Sequence, residues 1–285
     1  MGIRVKCLIV GHLTHDIIIR GDHKTERIGG GAYYSALVLS PFCDVEVVTK
    51  IGKSFPREWL EELEGFGMKV TAFHSKKTTT YELKYLDENT RALRLLSKAE
   101  SFKAEEIAHK KADLMILNPV ANEIPVEVVK TLKGFISLDV QGFVRDFRNG
   151  EVGFKKIDGH FLENVKIAHA DVNEFKMLSS PKLPEVMLIS NGADRGEAIY
   201  RGNRYHFEPL KMPVAETTGA GDSFLAYFSY FYKQCPFMQA LKRAVSFTAF
   251  FLKHRTPFFD FDEAKENAKN VKVERVVTDE ETSAR

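Results

Sequence analysis

Cysteine, tryptophan and glutamine are all scarce in this chain of 285 residues, and so is any excess of charge. The three cysteines, Cys7, Cys43 and Cys235, are odd in number and far apart. They form no metal-type cluster, and Cys7 and Cys43 sit in apolar surroundings, so buried cytosolic thiols are expected. No apolar run approaches the roughly 20 residues of a membrane helix, and residues 1–10 (MGIRVKCLIV) are too short and too strand-like for a signal peptide. A soluble, cytoplasmic protein with no membrane partner is the expectation. The formal net charge of +2 gives no reason to expect a nucleic-acid partner, although its sign does not oppose a small polyanion. Gln141, Gln234 and Gln239 are the only glutamines, beside plentiful Lys, Arg and Glu, a mix that fits a heat-tolerant protein. The chain lacks internal repeats and low-complexity stretches, and the polar residues 278–285 are expected to fray.

A hydrophobic content of 44% is enough for a sizeable core. Residues 4–10 are a β-branched, apolar run ending at Gly11, as a buried strand would. Residues 15–20 and 24–28 flank Gly21-Asp22 as a short hairpin. A helix is expected from Ala32 to Leu39, a strand at 45–49, and an amphipathic helix at 56–66 with Trp59, Leu60, Leu63 and Phe66 on one face. Between 79 and 97 the pattern alternates: Tyr81, Leu83 and Tyr85, a turn at 87–90, then Leu93 and Leu95. That is an antiparallel hairpin with one wet face. Beyond it, strands at 114–117, 135–138 and 186–189 alternate with helices, which predicts a mostly parallel sheet covered on both faces. Two apolar helices follow near 221–233 and 236–253, the first apolar almost all round and so central to the core.

That first helix is entered through Glu216-Thr217-Thr218-Gly219-Ala220-Gly221-Asp222-Ser223-Phe224. Gly219 and Gly221 let the backbone bend tightly and an anion approach, and the free N–H groups of the helix's first turn point to the same place. Asp222 lies within that turn. A carboxylate beside an anion hole can take a proton from an attacking hydroxyl while the N–H groups stabilise a transferring phosphoryl group. Alone, a short glycine motif with an acidic first-turn residue is common and carries less.

The stretch TTGAGDSF closely resembles the C-terminal signature of the ribokinase-like (PfkB-type) carbohydrate kinase family, with Glu216 where that family usually has Asp. The resemblance spans roughly residues 4 to 255. It implies an α/β fold, a three-layer sandwich with a mostly parallel central sheet and a small β-sheet lid. One kinase domain would fill residues 1–285, with the lid inserted at about 12–28 and 70–98. It also implies ATP and Mg2+ as cofactors, Asp222 as catalytic base, and Gly219, Ala220 and Gly221 as the anion hole. The segment from Gly11 to Asp16 resembles the family's first strand and its acidic ending, which implies that Asp16 holds acceptor hydroxyls. Gly29, Gly30 and Gly31 resemble the di-glycine motif near the sugar, with Tyr34, beside Tyr33, where an Asn is usual. Ser190, Asn191, Gly192 and Gly196 resemble the nucleotide loop, with Thr218 beside them and the helix near 243–252 completing the donor site. Asn173 and Glu174 lie where relatives carry Asn-x-x-Glu, with Lys176 at the Glu position, which implies that they act on a metal through water. Short family members carry a stretch like Asp139-Val140-Gln141-Gly142-Phe143-Val144-Arg145. There Arg145 is either a substrate or phosphate contact or a surface ion pair, and Asn118 ends a neighbouring strand.

The acceptor implied is a sugar or polyol, with a cyclitol such as inositol favoured because some inositol kinases resemble the 31–34 and 139–143 regions. A nucleoside kinase of the same family is the rival within the class. A non-catalytic sugar- or nucleotide-binding protein on the same scaffold is the rival outside it, motivated by Lys176 and Tyr34. The lid hairpin could also pair with a second subunit's lid as a homodimer.

Overall fold

The structure, a computed structural model, describes residues 4–86, 91–214 and 216–276. Its framework is a ten-stranded sheet in the spatial order Val273–Arg275, Asn203–Phe207, Asp194–Tyr200, Val186–Asn191, Ile167–Asp171, Ile136–Asp139, Leu114–Leu117, Val5–Val10, Cys43–Ile51 and Lys69–His74. From Val186–Asn191 to Lys69–His74 every neighbouring pair is parallel, and three antiparallel strands finish the other edge. The parallel strands are apolar at nearly every position because both faces are covered. Along Val5–Val10, Cys7 and Ile9 enter one core while Leu8 and Val10 enter the other.

The first core is built around the helix Ala220–Tyr232, the central helix, with Phe224, Leu225, Tyr227, Phe228 and Phe231 buried. It packs between Gly31–Leu39 and Phe237–His254, as its all-round apolarity predicts. Its interior hydroxyl at Ser229 is satisfied by donating to the Leu225 carbonyl and sharing a second hydrogen bond with the Ser137 hydroxyl across the layer interface. No helix among the described residues is long and apolar enough to cross a membrane.

A second, six-stranded sheet runs in the order Arg145–Arg148, Glu151–Phe154, Arg91–Ser97, Thr80–Tyr85, Thr14–Arg20, His23–Gly29. One face carries Ile18, Tyr81 and Leu83, which bury against Val120 and Ala121 at the end of Leu114–Leu117. Two boundaries differ from the sequence expectation. Residues 70–74 belong to the large sheet, because Lys69–His74 closes a crossover from Cys43–Ile51 through the helix Arg57–Gly65 and so pairs parallel with it. The smaller sheet also takes in the hairpin at 145–154, whose Asn149 and Gly150 both have positive φ. The expected turn at 87–90 and the polar tail at 278–285 lie outside the described residues.

The stretch that follows Ile136–Asp139 is pressed closely onto the next strand end. A Cβ on Gly142 would lie 2.2 Å from the carbonyl carbon and oxygen of Pro119, whereas one on Gly65 would meet nothing within 4 Å. Gly142→Ala is therefore expected to lower stability by about 1–3 kcal/mol through overpacking. Gly65→Ala is expected to leave it unchanged or raise it by up to about 1 kcal/mol. Denaturant midpoints of the two variants check this contrast.

Candidate active site

Parallel strands of an open α/β sheet leave their carboxyl ends facing a crevice, and the chemistry-bearing residues gather there. Asn118 follows Leu114–Leu117, Asp139 ends Ile136–Asp139, His169 lies in Ile167–Asp171 and Ser190 in Val186–Asn191. The first turn of the central helix lies across these ends, and Gly219 at its N-cap adopts φ 82°, the left-handed region. Asp222 is buried in that turn.

The Asp222 carboxylate is held through one oxygen. Oδ1 accepts from Gln141 Nε2 at 3.0 Å and from Asn118 Nδ2 at 3.4 Å, and Oδ2 makes no hydrogen bond among the described residues. Gln141 is held in turn by Arg145, whose Nη2 donates to its Oε1 at 2.7 Å while Nη1 donates to the Val120 carbonyl at 3.0 Å. Burial, and then the negative charge of Asp139, push the Asp222 carboxyl up to about 7; His169 and Arg145 pull the other way. Gly31 is a glycine for this carboxylate's sake, since a Cβ there would lie 2.4 Å from Oδ1.

Asp16 is also buried, and its Oδ1 accepts from the Thr14 hydroxyl at 2.6 Å. Its other oxygen occupies the space that a Cβ on Gly29 would need, at 2.0 Å. Asp16, Thr14, Gln141, Arg145 and Asp222 line a cavity of about 110 Å³, closed by Tyr34 and by Tyr81, Leu83 and Leu93 of the smaller sheet. Tyr33 turns away from it and donates to Glu62. On the other side of the 217–221 turn lies a second cavity of about 560 Å³, walled mostly by apolar residues such as Phe207, Leu210, Val245 and Leu252. Thr218, Gly219 and Asp222 face the small cavity, and Thr217, Ala220 and Gly221 face the large one. The turn is thus the wall between them.

Glu216 and Arg27 tie the smaller sheet to this wall. Arg27 Nη1 donates to Glu216 Oε2 at 2.9 Å and Nη2 to Oε1, a bidentate pair. That pairing holds the Glu216 carboxyl down at about 2. Arg255 donates to the Thr218 carbonyl at 2.9 Å from behind.

No protein-family model matches the chain. It is 23% identical to an inositol 3-kinase of Arabidopsis thaliana over 239 residues, 77% of this chain and 66% of that protein. It is 21% identical to a cytidine kinase of Thermococcus kodakarensis over 243 residues, 78% of this chain and 86% of that one. A solved pyrophosphate-dependent kinase of the ribokinase family, complexed with a pyrophosphate analogue and myo-inositol, superposes with a TM-score of 0.76. That likeness carries 22% identity and covers 91% of this chain and 99% of that one. The chain has the ribokinase-like fold. It spans just under two thirds of the length of the inositol kinases it matches.

Within that fold, the structure gathers some of the residues singled out from sequence and disperses others. Gly30, Asp16, Tyr34, Arg145, Thr218 and Asp222 share the small cavity. Ser190 and Gly192 line the large one. Gly196 does not belong to the donor loop, because it lies inside Asp194–Tyr200 with the Phe207 ring 2.3 Å from where a Cβ would be. Asn191 is exposed on the hairpin and pairs across it with Asp194, and Thr218 lines the small cavity while Thr217 lines the large one. Asn173 and Lys176 are exposed. Glu174 is buried, but its Oε2 accepts from the Asp171 N–H as half of a capping box. Among the described residues no group of three or more His, Cys, Asp or Glu could hold a metal ion. Gln141 and His169 are the residues that sequence reasoning did not assign. The glutamine sits in the Asp139–Arg145 motif already noted, whereas a lone histidine in an apolar strand carries no spacing signal.

Holding a carboxyl up at about 7 has a stability consequence. The folded chain binds that proton more tightly than the unfolded one, whose value is near 3.8. The contribution to folding is therefore fully present below about 4 and is lost as pH rises through about 7. Asp222→Asn, which cannot ionise, should melt near wild type at pH 4 and several degrees higher at pH 8. Thermal melts across that range check it, and a gap that closes with rising pH would refute the shift.

Proposed function

We propose that this chain is a kinase that transfers a phosphoryl group from MgATP to a hydroxyl of a sugar or polyol, with a cyclitol such as inositol the favoured acceptor. The observation that carries the reading is the single wall between two unlike cavities. A polyhydroxyl acceptor suits the small one, where Asp16 and Thr14, Gln141 and Arg145 supply acceptors and donors around a few apolar residues. A nucleotide suits the large one, whose apolar lining matches a base and whose polar rim at Ser190 and Thr217 adjoins the helix N-terminus.

Asp222 has the position and chemistry of a general base. Its unengaged Oδ2 accepts the proton of the attacking hydroxyl, Gln141 and Asn118 fix Oδ1, and a carboxyl raised to about 7 is basic enough to take that proton near neutrality. The N–H groups of the 219–221 turn stabilise charge on the transferring group. The smaller sheet closes the acceptor side through Tyr81, Leu83 and Leu93, which excludes water that would otherwise compete as acceptor. When bound, a divalent ion would neutralise charge on the donor's phosphate oxygens.

Two observations favour neighbouring readings of the same site. The likeness to a cytidine kinase supports a nucleoside acceptor. The likeness to a pyrophosphate-dependent kinase supports pyrophosphate as donor, but pyrophosphate would leave the large apolar cavity with nothing to bury.

The test is phosphoryl transfer measured over a panel of cyclitols, sugars and nucleosides, each with ATP and with pyrophosphate. The expected result is ATP-dependent transfer to a cyclitol or sugar, with kcat rising as pH climbs through about 7. Asp222→Asn should slow kcat by roughly 10²–10⁴-fold while ATP still binds. Asp16→Ala should raise the KM of the acceptor far more than that of ATP, because a substrate hydroxyl left unpaired costs on the order of 1–3 kcal/mol. Ala249→Phe, which fills the large cavity, should raise the KM for ATP and leave that for pyrophosphate alone. An Asp222→Asn variant within a few-fold of wild type would remove the base, and transfer to no acceptor would remove the kinase.

A further inference from the structure

We propose that His169 is a positioning residue for the phosphate donor: held by Asp139, it turns the hydroxyl hydrogen of Ser190 into the large cavity, toward the donor's phosphates. This rests on the reading of that cavity as the donor site. Asp139, His169 and Ser190 form a line, buried at Asp139 and His169 and half-buried at Ser190, with His169 Nδ1 2.7 Å from Asp139 Oδ2 and Nε2 3.1 Å from Ser190 Oγ. An ionised carboxylate only accepts, so Nδ1 carries a hydrogen. Two arrangements of the other nitrogen are then possible. In a neutral ring Nε2 accepts the Ser190 hydrogen, and the hydroxyl shows the cavity only lone pairs, which phosphate oxygens repel. In a charged ring Nε2–H donates to Oγ, and the hydroxyl hydrogen is released to meet a phosphate oxygen.

The surroundings select the charged ring. Asp139 faces it from the neighbouring strand, Glu174 from the short helix that follows, and Asp222 from the central helix. Arg145, the cation set against Glu174 and Asp222, is engaged with Gln141 and the Val120 carbonyl. Burial pushes the imidazole down, but the carboxylates, Asp139 first, more than offset it and hold it above its ordinary value. Phe224 closes the ring off edge-on at 6.1 Å. The ring also lies directly behind the anion hole, since a Cβ on Gly221 would be 2.7 Å from His169 Cε1. A positive charge there reinforces the helix N-terminus toward the same phosphates. Gly221 is small, then, both for the anion in front of it and for the imidazolium behind it.

The experiment measures binding of a non-hydrolysable ATP analogue and of pyrophosphate by calorimetry at pH 7, for wild type, Ser190→Ala, His169→Gln and the double variant. Each single change should weaken binding about ten-fold, the loss of one hydrogen bond to a charged group, and the double should weaken it no further than the worse single. The acceptor KM should stay at its wild-type value in Ser190→Ala. Nitrogen-15 spectra of wild type should show both ring nitrogens of His169 protonated at pH 7. Additive losses, or an unprotonated Nε2, would overturn the proposal; the latter would make Ser190 a base-activated hydroxyl instead. If His169→Gln fails to fold, Ser190→Ala, at the half-buried rim, decides together with the wild-type spectrum. Wild type that binds neither probe overturns the donor-site reading along with this one. Wild type that binds, with Ser190→Ala unchanged, overturns this one alone.

Discussion

A buried carboxylate is the constraint around which this molecule is arranged. Asp222 is placed by the central helix where parallel strands end, a position that removes its hydration and raises the cost of its charge. Three kinds of structure answer that cost. Gln141 and Asn118 donate to one oxygen, Arg145 and His169 supply opposite charge nearby, and Gly31 withdraws its own side chain so that the carboxylate fits. Partial compensation is what leaves the group poised: full pairing would have driven it toward the ordinary carboxylate range.

The smaller sheet is fastened to the main domain by apolar burial and by polar ties. Its apolar face buries on Val120 and Ala121, and Tyr81 on that face donates to the Val120 carbonyl that Arg145 also uses. Its outer strand reaches the wall through Arg27 and Glu216. Glu216, where the family signature has Asp, thus links the smaller sheet to the turn that divides the cavities.

Much of this was legible in the sequence, for reasons that differ by element. The turn at 216–224 announces itself because small residues, an acid and a buried helix come together within nine positions. Parallel strands were legible as apolar runs. The limit of the smaller sheet was not, because Lys69–His74 alternates like a half-exposed strand, which either sheet could accept; the crossover before it decides the matter. The hairpin at 145–154 carries an Asn149-Gly150 signal, but its flanks mix charges with single apolar residues and mark no buried face. Gly196 shows the reverse error, where a glycine in the right order for a loop serves the packing of Phe207. His169 was illegible in principle. Its partners Asp139 and Ser190 lie 30 and 21 positions away, and only parallel registration brings them together.

The Arg27–Glu216 tether joins positions 189 apart in the chain. Bringing such distant segments together costs loop-closure entropy before any contact rewards it, and such contacts slow folding. On the ribosome the early hairpins exist long before the glycine turn has been made. Asp16 and Gly31 then wait for most of the remaining chain before the turn carrying Asp222 arrives to close the cavity they share, so the small cavity is a property of the late chain and not of the early hairpins.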